Sequence, residues 1–182
     1  MQRRFSVGQF CLGHIFFKLG KLGAENKNIN KHSILFIAMT KLNTYLNFAG
    51  NTEEAFSFYK SVFGGEFASV VQFKDMPVEG VNIPKEDENK IHHIGLPIGK
   101  NNFLMATDIL PSLGQKLVQG NNVYISVHPD SKEEADRIFN ALSAGGKIEM
   151  PMADQPWGDY YGSFKDKFGV QWMINYHYPK KQ

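Results

Sequence analysis

One cysteine, Cys11, is all the thiol that this 182-residue sequence carries. A lone cysteine forms no intrachain disulfide and no cysteine-based zinc knuckle. Nothing therefore asks for an oxidising compartment, and a cytoplasmic protein is expected. No apolar run approaches the roughly 20 residues that cross a bilayer, which excludes a helical membrane span. Neither charge sign is in excess: 20 Lys and Arg stand against 18 Asp and Glu, a net +2. A nucleic-acid partner has no global electrostatic footprint at that balance. Also missing are a phosphate loop, a Gly-rich strand–helix turn for a nucleotide-like cofactor, and a nucleophile elbow with Ser/His/Asp order.

Hydrophobic residues, by contrast, make up 42% of the chain and aromatic ones 13%, with 15 Phe. That is enough for one domain with a sizeable core, or two small halves sharing one. The slight basicity belongs to the first 38 residues, which hold six Lys or Arg and one acid, Glu25. That leaves 14 basic and 17 acidic residues, net −3, for residues 39–182. The opening "RRFSVGQFCLGHIFFKLGKLG" has an Arg pair and apolar residues, but Gly8, Gln9, Gly13, His14 and Lys18 interrupt it. A secretory signal needs an unbroken apolar stretch and a small-residue cleavage site. Residues 1–38 are therefore read as a leader outside the domain, either an over-called start or disordered, with 39–182 as the domain. A targeting peptide is the alternative.

From Lys41 the elements are short and punctuated. "LNTYLNF" alternates as a strand does. In "GNTEEAFSFYKSVFGG", Asn51 or Thr52 suits a helix cap, Glu53 and Glu54 suit the helix N-terminus, and Gly64–Gly65 stop it. "EFASVVQF" is a strand, residues 75–90 a charged loop, and "IHHIGLPIG" with "NNFLMATD" a pair of strands. The design then recurs. "YISVHPDSKEEA" at 124–135 repeats "YLNFAGNTEEA" at 45–55, Gly145–Gly146 repeat the stop, and "YYGSFKDKFGVQWMI" repeats the strand pair. Residues 41–108 and 122–177 thus read as two copies of one βαβββ unit, paired in one α+β domain.

Side chains alternate across a strand. Asn43, Tyr45 and Asn47 share a face opposite Thr44, Leu46 and Phe48. Asn122, Tyr124 and Ser126 oppose Val123, Ile125 and Val127. Gln171, Met173 and Asn175 oppose Trp172, Ile174 and Tyr176. One face of each strand is apolar and suits a covering helix. The other mixes amides, hydroxyls and rings with few charges. That mixture suits the lining of a semi-polar cleft, where a few hydrogen-bonding groups orient a ligand against an apolar wall. The alternative is a two-sided sheet whose second face is solvated or packs on a partner.

The paired βαβββ units, opened by "YLNFAGNTEEAFSFYKSVFGGEF" and closed by "MPMADQPWGDYYGSFKDKFGVQWMIN", resemble the vicinal oxygen chelate superfamily of glyoxalases, bleomycin-resistance proteins and extradiol dioxygenases. Within it they are most similar to the PhnB-like branch, often labelled 3-demethylubiquinone-9 3-methyltransferase. The resemblance covers residues 41–178 and implies curved sheets around a cleft and a homodimer, sometimes with modules paired across subunits. Enzymes of the superfamily hold a divalent metal with His and Glu side chains on the first and last strands of each unit. Carried over by strand position, those sites fall at or near Asn43, Ala106, Asn122 and Met173. None of the four is a His or a carboxylate, so the standard ligands are absent and no cofactor is expected, a divalent metal held in a non-standard way being the alternative.

The expected ligand-binding residues are Tyr45, Asn47, His93, Tyr124, Trp157, Tyr161, Gln171 and Met173, with His93 the candidate for proton transfer. His92 and His93 are adjacent and point opposite ways, so they do not readily share one metal. Trp157 is either a lid or a core filler. His128, beside Pro129, reads as a turn residue, and His177 as a chain-end residue. Three functions fit: a metal-independent binder of a small organic molecule, a metal-dependent lyase-, isomerase- or dioxygenase-type enzyme of the same superfamily, and a dimeric interaction module with a vestigial pocket.

Overall fold

The computed structural model describes residues 41–76 and 79–179, and the leader expected at 1–38 lies outside them. The described residues belong to one compact unit. Eight strands and two helices follow in the order β1 (Thr44–Phe48), α1 (Thr52–Phe63), β2 (Ser69–Gln72), β3 (Ile91–Ile98), β4 (Asn102–Asp108), β5 (Ile125–Val127), α2 (Lys132–Ser143), β6 (Lys147–Asp154), β7 (Asp159–Lys165) and β8 (Gln171–His177). They form two four-stranded sheets, ordered β1-β4-β3-β2 and β5-β8-β7-β6. The two orders are the same, so the repeat legible in the sequence is a repeat of topology. In each sheet the opening strand runs parallel to the closing one, and the last two strands form an antiparallel hairpin.

The helices form where the apolar positions recur at helical spacing. α1 buries Ala55, Phe56, Tyr59 and Val62, and α2 buries Ala135, Ile138, Phe139 and Leu142. Their ends are held differently. Ser131 caps α2 by accepting from the Glu134 amide at 3.1 Å. For α1 the cap position is Asn51, whose side chain makes no capping bond. Asp108, at the end of β4, takes over. Its carboxylate accepts from the Gly50 and Thr52 amides, the Thr52 hydroxyl and the Ile91 amide. A negative group there also complements the positive end of the helix dipole.

One continuous core joins the modules. Phe48, Ile94 and Leu104 of the first sheet, Phe164, Trp172 and Ile174 of the second, and both helices contribute to it. Tyr59 of α1 packs edge-on against Trp172 at 5.4 Å, and its hydroxyl donates to Asp166 at 2.7 Å. α2 comes so close to its sheet that a Cβ on Gly162 would meet Met152 Sδ at 2.7 Å and Phe139 Cε2 at 2.8 Å. Each sheet therefore has a helix side, buried in this core, and an open side facing away from the helices.

Candidate functional site

The alternation expected from the sequence sets the two sides of each sheet. Trp172 and Ile174 are buried on the helix side, while Tyr45 and Asn47 are exposed on the open side of the first sheet. Register brings Asn47, Thr107 and His93 into one row of that open side, with Tyr45 and Met105 in the next. The Tyr45 hydroxyl lies 3.4 Å from His93 Nδ1, and the two rings are 5.9 Å apart. Partial burial, with His92 as a second cause, holds the His93 imidazole below the usual histidine range. It is therefore neutral at neutral pH and able to accept a proton. His92 turns away and packs edge-on against Phe73.

The second sheet carries the richer open side. Ser126, Met173 and Ser163 share one row, and Asn175 and Tyr161 another. Gln171, Ser163 and Asn175 are buried although they face away from the helices. Gln171 Nε2 donates to the Val123 carbonyl at 2.7 Å. The regular part of β5 begins at Ile125 rather than at Asn122 as the sequence pattern suggests. The Tyr124 hydroxyl donates to Glu149 at 2.6 Å. This hydrogen bond raises its phenol pKa, with burial and the Glu149 charge adding to it. Trp157 is 60% exposed in the turn before β7 and sits edge-on to Tyr161 at 5.8 Å, so it does not fill the core.

The eight expected residues thus divide between the sheets. Tyr45, Asn47 and His93 lie on the first, and Tyr124, Trp157, Tyr161, Gln171 and Met173 on or beside the second. Neither group lines the groove of about 410 Å³ bounded by Asn43, Phe63, Phe103, Ser126, His128 and Trp172, between β1 and β5.

A second cluster was missed by sequence reasoning. His128 and His177 stack at 5.4 Å with their planes 14° apart. His177 Nδ1 lies 2.7 Å from Asp159 Oδ1, Asn175 Nδ2 donates to Asp159 Oδ2 at 3.2 Å, and Ser126 Oγ lies 2.9 Å from His128 Nε2. The hydrogen bond with His177 holds the Asp159 carboxyl below the usual carboxylate range, with Asn175 and the charges of both imidazoles adding to the effect. The signal was strand parity: His177 continues the Gln171, Met173, Asn175 face, and His128 the Ser126 face.

The metal positions carried over from the family do not fit a hard cation. Ala106 faces the helices and is fully buried in the core, a correction to its placement at a ligand position. Asn43 Oδ1 already accepts from the Phe103 amide at 3.2 Å. Asn122 is exposed before β5, and Met173 offers only a soft thioether. Among the described residues no three His, Cys, Asp or Glu side chains are grouped to hold a metal ion. The stacking of His128 on His177 accounts for that cluster: in-plane lone pairs of parallel rings do not converge on one point.

The model for the Glyoxalase/Bleomycin resistance protein/Dioxygenase superfamily matches residues 41–174. Protein YjdN of Escherichia coli K12 is 33% identical over 144 residues, covering 74% of this chain and 93% of that protein. The crystal structure of protein PA1353 from Pseudomonas aeruginosa is similar at 38% identity and a TM-score of 0.67, over 76% of this chain and 98% of the other. The PhnB protein from Bacillus cereus is similar at 27% identity and a TM-score of 0.60, over 75% and 99%. Among the described residues no helix is long and apolar enough to cross a membrane.

Proposed function

The chain belongs to the glyoxalase/bleomycin resistance protein/dioxygenase superfamily, with relatives on its PhnB-like branch, and on that premise we propose that it binds a small organic molecule without the divalent metal of the superfamily's enzymes. The observation that carries this reading is the make-up of the two open sheet sides. They offer amides, hydroxyls, thioethers and aromatic rings, which suit the lining of a ligand cleft, and among the described residues no set of donors for a hard cation. The binding unit is a homodimer in the cytoplasm, in which the open side of one subunit's first sheet covers that of the partner's second. Association through copies of the chain is supported by β1 and β5, each of which, among the described residues, pairs with one neighbouring strand and so lies at a sheet edge beside the groove.

The test is a thermal-shift and light-scattering series on protein treated with chelator. Stabilisation by aromatic compounds, unchanged by chelator, at twice the chain mass of 20.6 kDa, is the expected result. Stoichiometric Ni, Zn, Mn or Fe in untreated protein, with ligand binding lost on its removal, overturns it.

A second reading, lyase- or isomerase-type proton transfer, is favoured by one observation: the His93 imidazole lies partly buried on the open side with the Tyr45 hydroxyl 3.4 Å from its Nδ1. Its test is turnover of a candidate substrate by wild type against His93→Gln. Equal rates remove it.

A further inference from the structure

Gln171 carries a buried carbonyl oxygen with no hydrogen-bond partner among the described residues. The residue is 6% exposed, and the sense of its amide is fixed, because turning it over would set its oxygen against the Val123 oxygen. Buried acceptors are satisfied in the great majority of folded proteins, and one left open in a candidate cleft points to a missing partner. The surroundings narrow that partner. The Tyr124–Glu149 hydrogen bond joins the segment leading into β5 to β6, the two edges of the sheet, and so crosses β8 and β7 on the open side. Met173 and buried Ser163 lie in the next row, and Tyr161 with Trp157 beyond it. Lys165 stands opposite Gln171 in register, and Lys147 opposite Lys165. Two ammonium groups against the single Glu149 carboxylate disfavour a cationic ligand, and the open carbonyl disfavours an acceptor.

We propose that Gln171 Oε1 is the recognition point for a neutral, flat organic molecule bearing an N–H or O–H donor, and that the Tyr124–Glu149 pair covers this subsite until the molecule binds. This rests on the cleft reading above and specifies the class of its ligand. The donor replaces no protein hydrogen bond at Gln171, so its contribution adds to that of contact with the neighbouring rings.

The probes are indole and N-methylindole, which share one bicyclic ring and differ in that a methyl group replaces the N–H hydrogen, its bulk being controlled by the Gln171→Met comparison. Titrations of the full chain are followed by NMR on wild type, Gln171→Met and Tyr124→Phe. Wild type binds indole about tenfold more tightly than N-methylindole. In Gln171→Met the two affinities converge while that for N-methylindole holds. Tyr124→Phe tightens both and leaves their ratio unchanged. The Gln171 side-chain amide resonances of wild type give a readout that needs no variant: they move with indole and stay with N-methylindole. Equal wild-type affinities, with shifts on the open side of the second sheet, overturn the donor subsite and leave the cleft standing. Shifts confined to the groove between β1 and β5, or binding of neither probe, overturn both.

Discussion

Asp166 shows how much one buried carboxylate organises. It accepts from the Tyr59 hydroxyl at 2.7 Å, from Trp172 Nε1 at 2.8 Å, and from the Phe168 and Val170 amides at 2.9 Å each. Burial and this charge together push the Tyr59 phenol far above its usual range. Asp166→Ala strands those donors and is expected to cost about 3 kcal/mol or more in urea unfolding. A loss under about 1 kcal/mol contradicts this account of the contact between α1 and the last hairpin. Asp159 behaves differently because it is only half-buried and its partner His177 is exposed. Its folded pKa is depressed, so the stability it adds is complete above the ordinary carboxylate pKa near 4 and disappears as pH falls through the lower folded value. An acid series comparing wild type with Asp159→Asn should show a gap that closes on the acid side. A gap that widens there contradicts the pairing with His177.

Among the elements, the two helices separate what was legible from what was not. Apolar spacing and the Gly-Gly stops give both helices their place, and Ser131 caps α2 as a local residue should. The cap of α1 comes instead from Asp108, 56 residues beyond Thr52, and no local pattern announces it. Asp108→Ala is expected to cost about 2 kcal/mol and Asn51→Ala under about 0.5 kcal/mol by chemical denaturation. The reverse ranking overturns the assignment. Strand faces were legible because alternation is a local property, and it separated Gln171 and Met173 from Trp172 and Ile174. The Tyr124–Glu149 pair and the His128–His177 stack were not legible, because they depend on which strands become neighbours across the sheet. Gly162 belongs to the same group. Its need for a bare Cα arises only once Phe139 of α2 lies on it, and Gly162→Ala is expected to cost about 1–3 kcal/mol through overpacking.

At the scale of the whole molecule, both modules share one core and stability should respond as a unit. Burial, with Asp136 accepting its hydroxyl at 2.7 Å, pushes the Tyr160 phenol up to about 12. Its contribution is complete below the ordinary value near 10 and is lost as pH rises toward about 12. Tyr160→Phe should therefore flatten the decline of the urea midpoint across that window, and an unchanged slope contradicts it. The fold and its duplication were open to a reading of the sequence. The candidate site was only half so, since parity names the residues on each open side but not what covers them.

The most direct measurement is chemical-shift mapping of indole on chelator-treated protein. The account predicts perturbations at Tyr45 and His93 of the first sheet together with Tyr161, Gln171 and Met173 of the second. Perturbation of neither set, or binding only after Mn, Ni or Zn is restored, contradicts it.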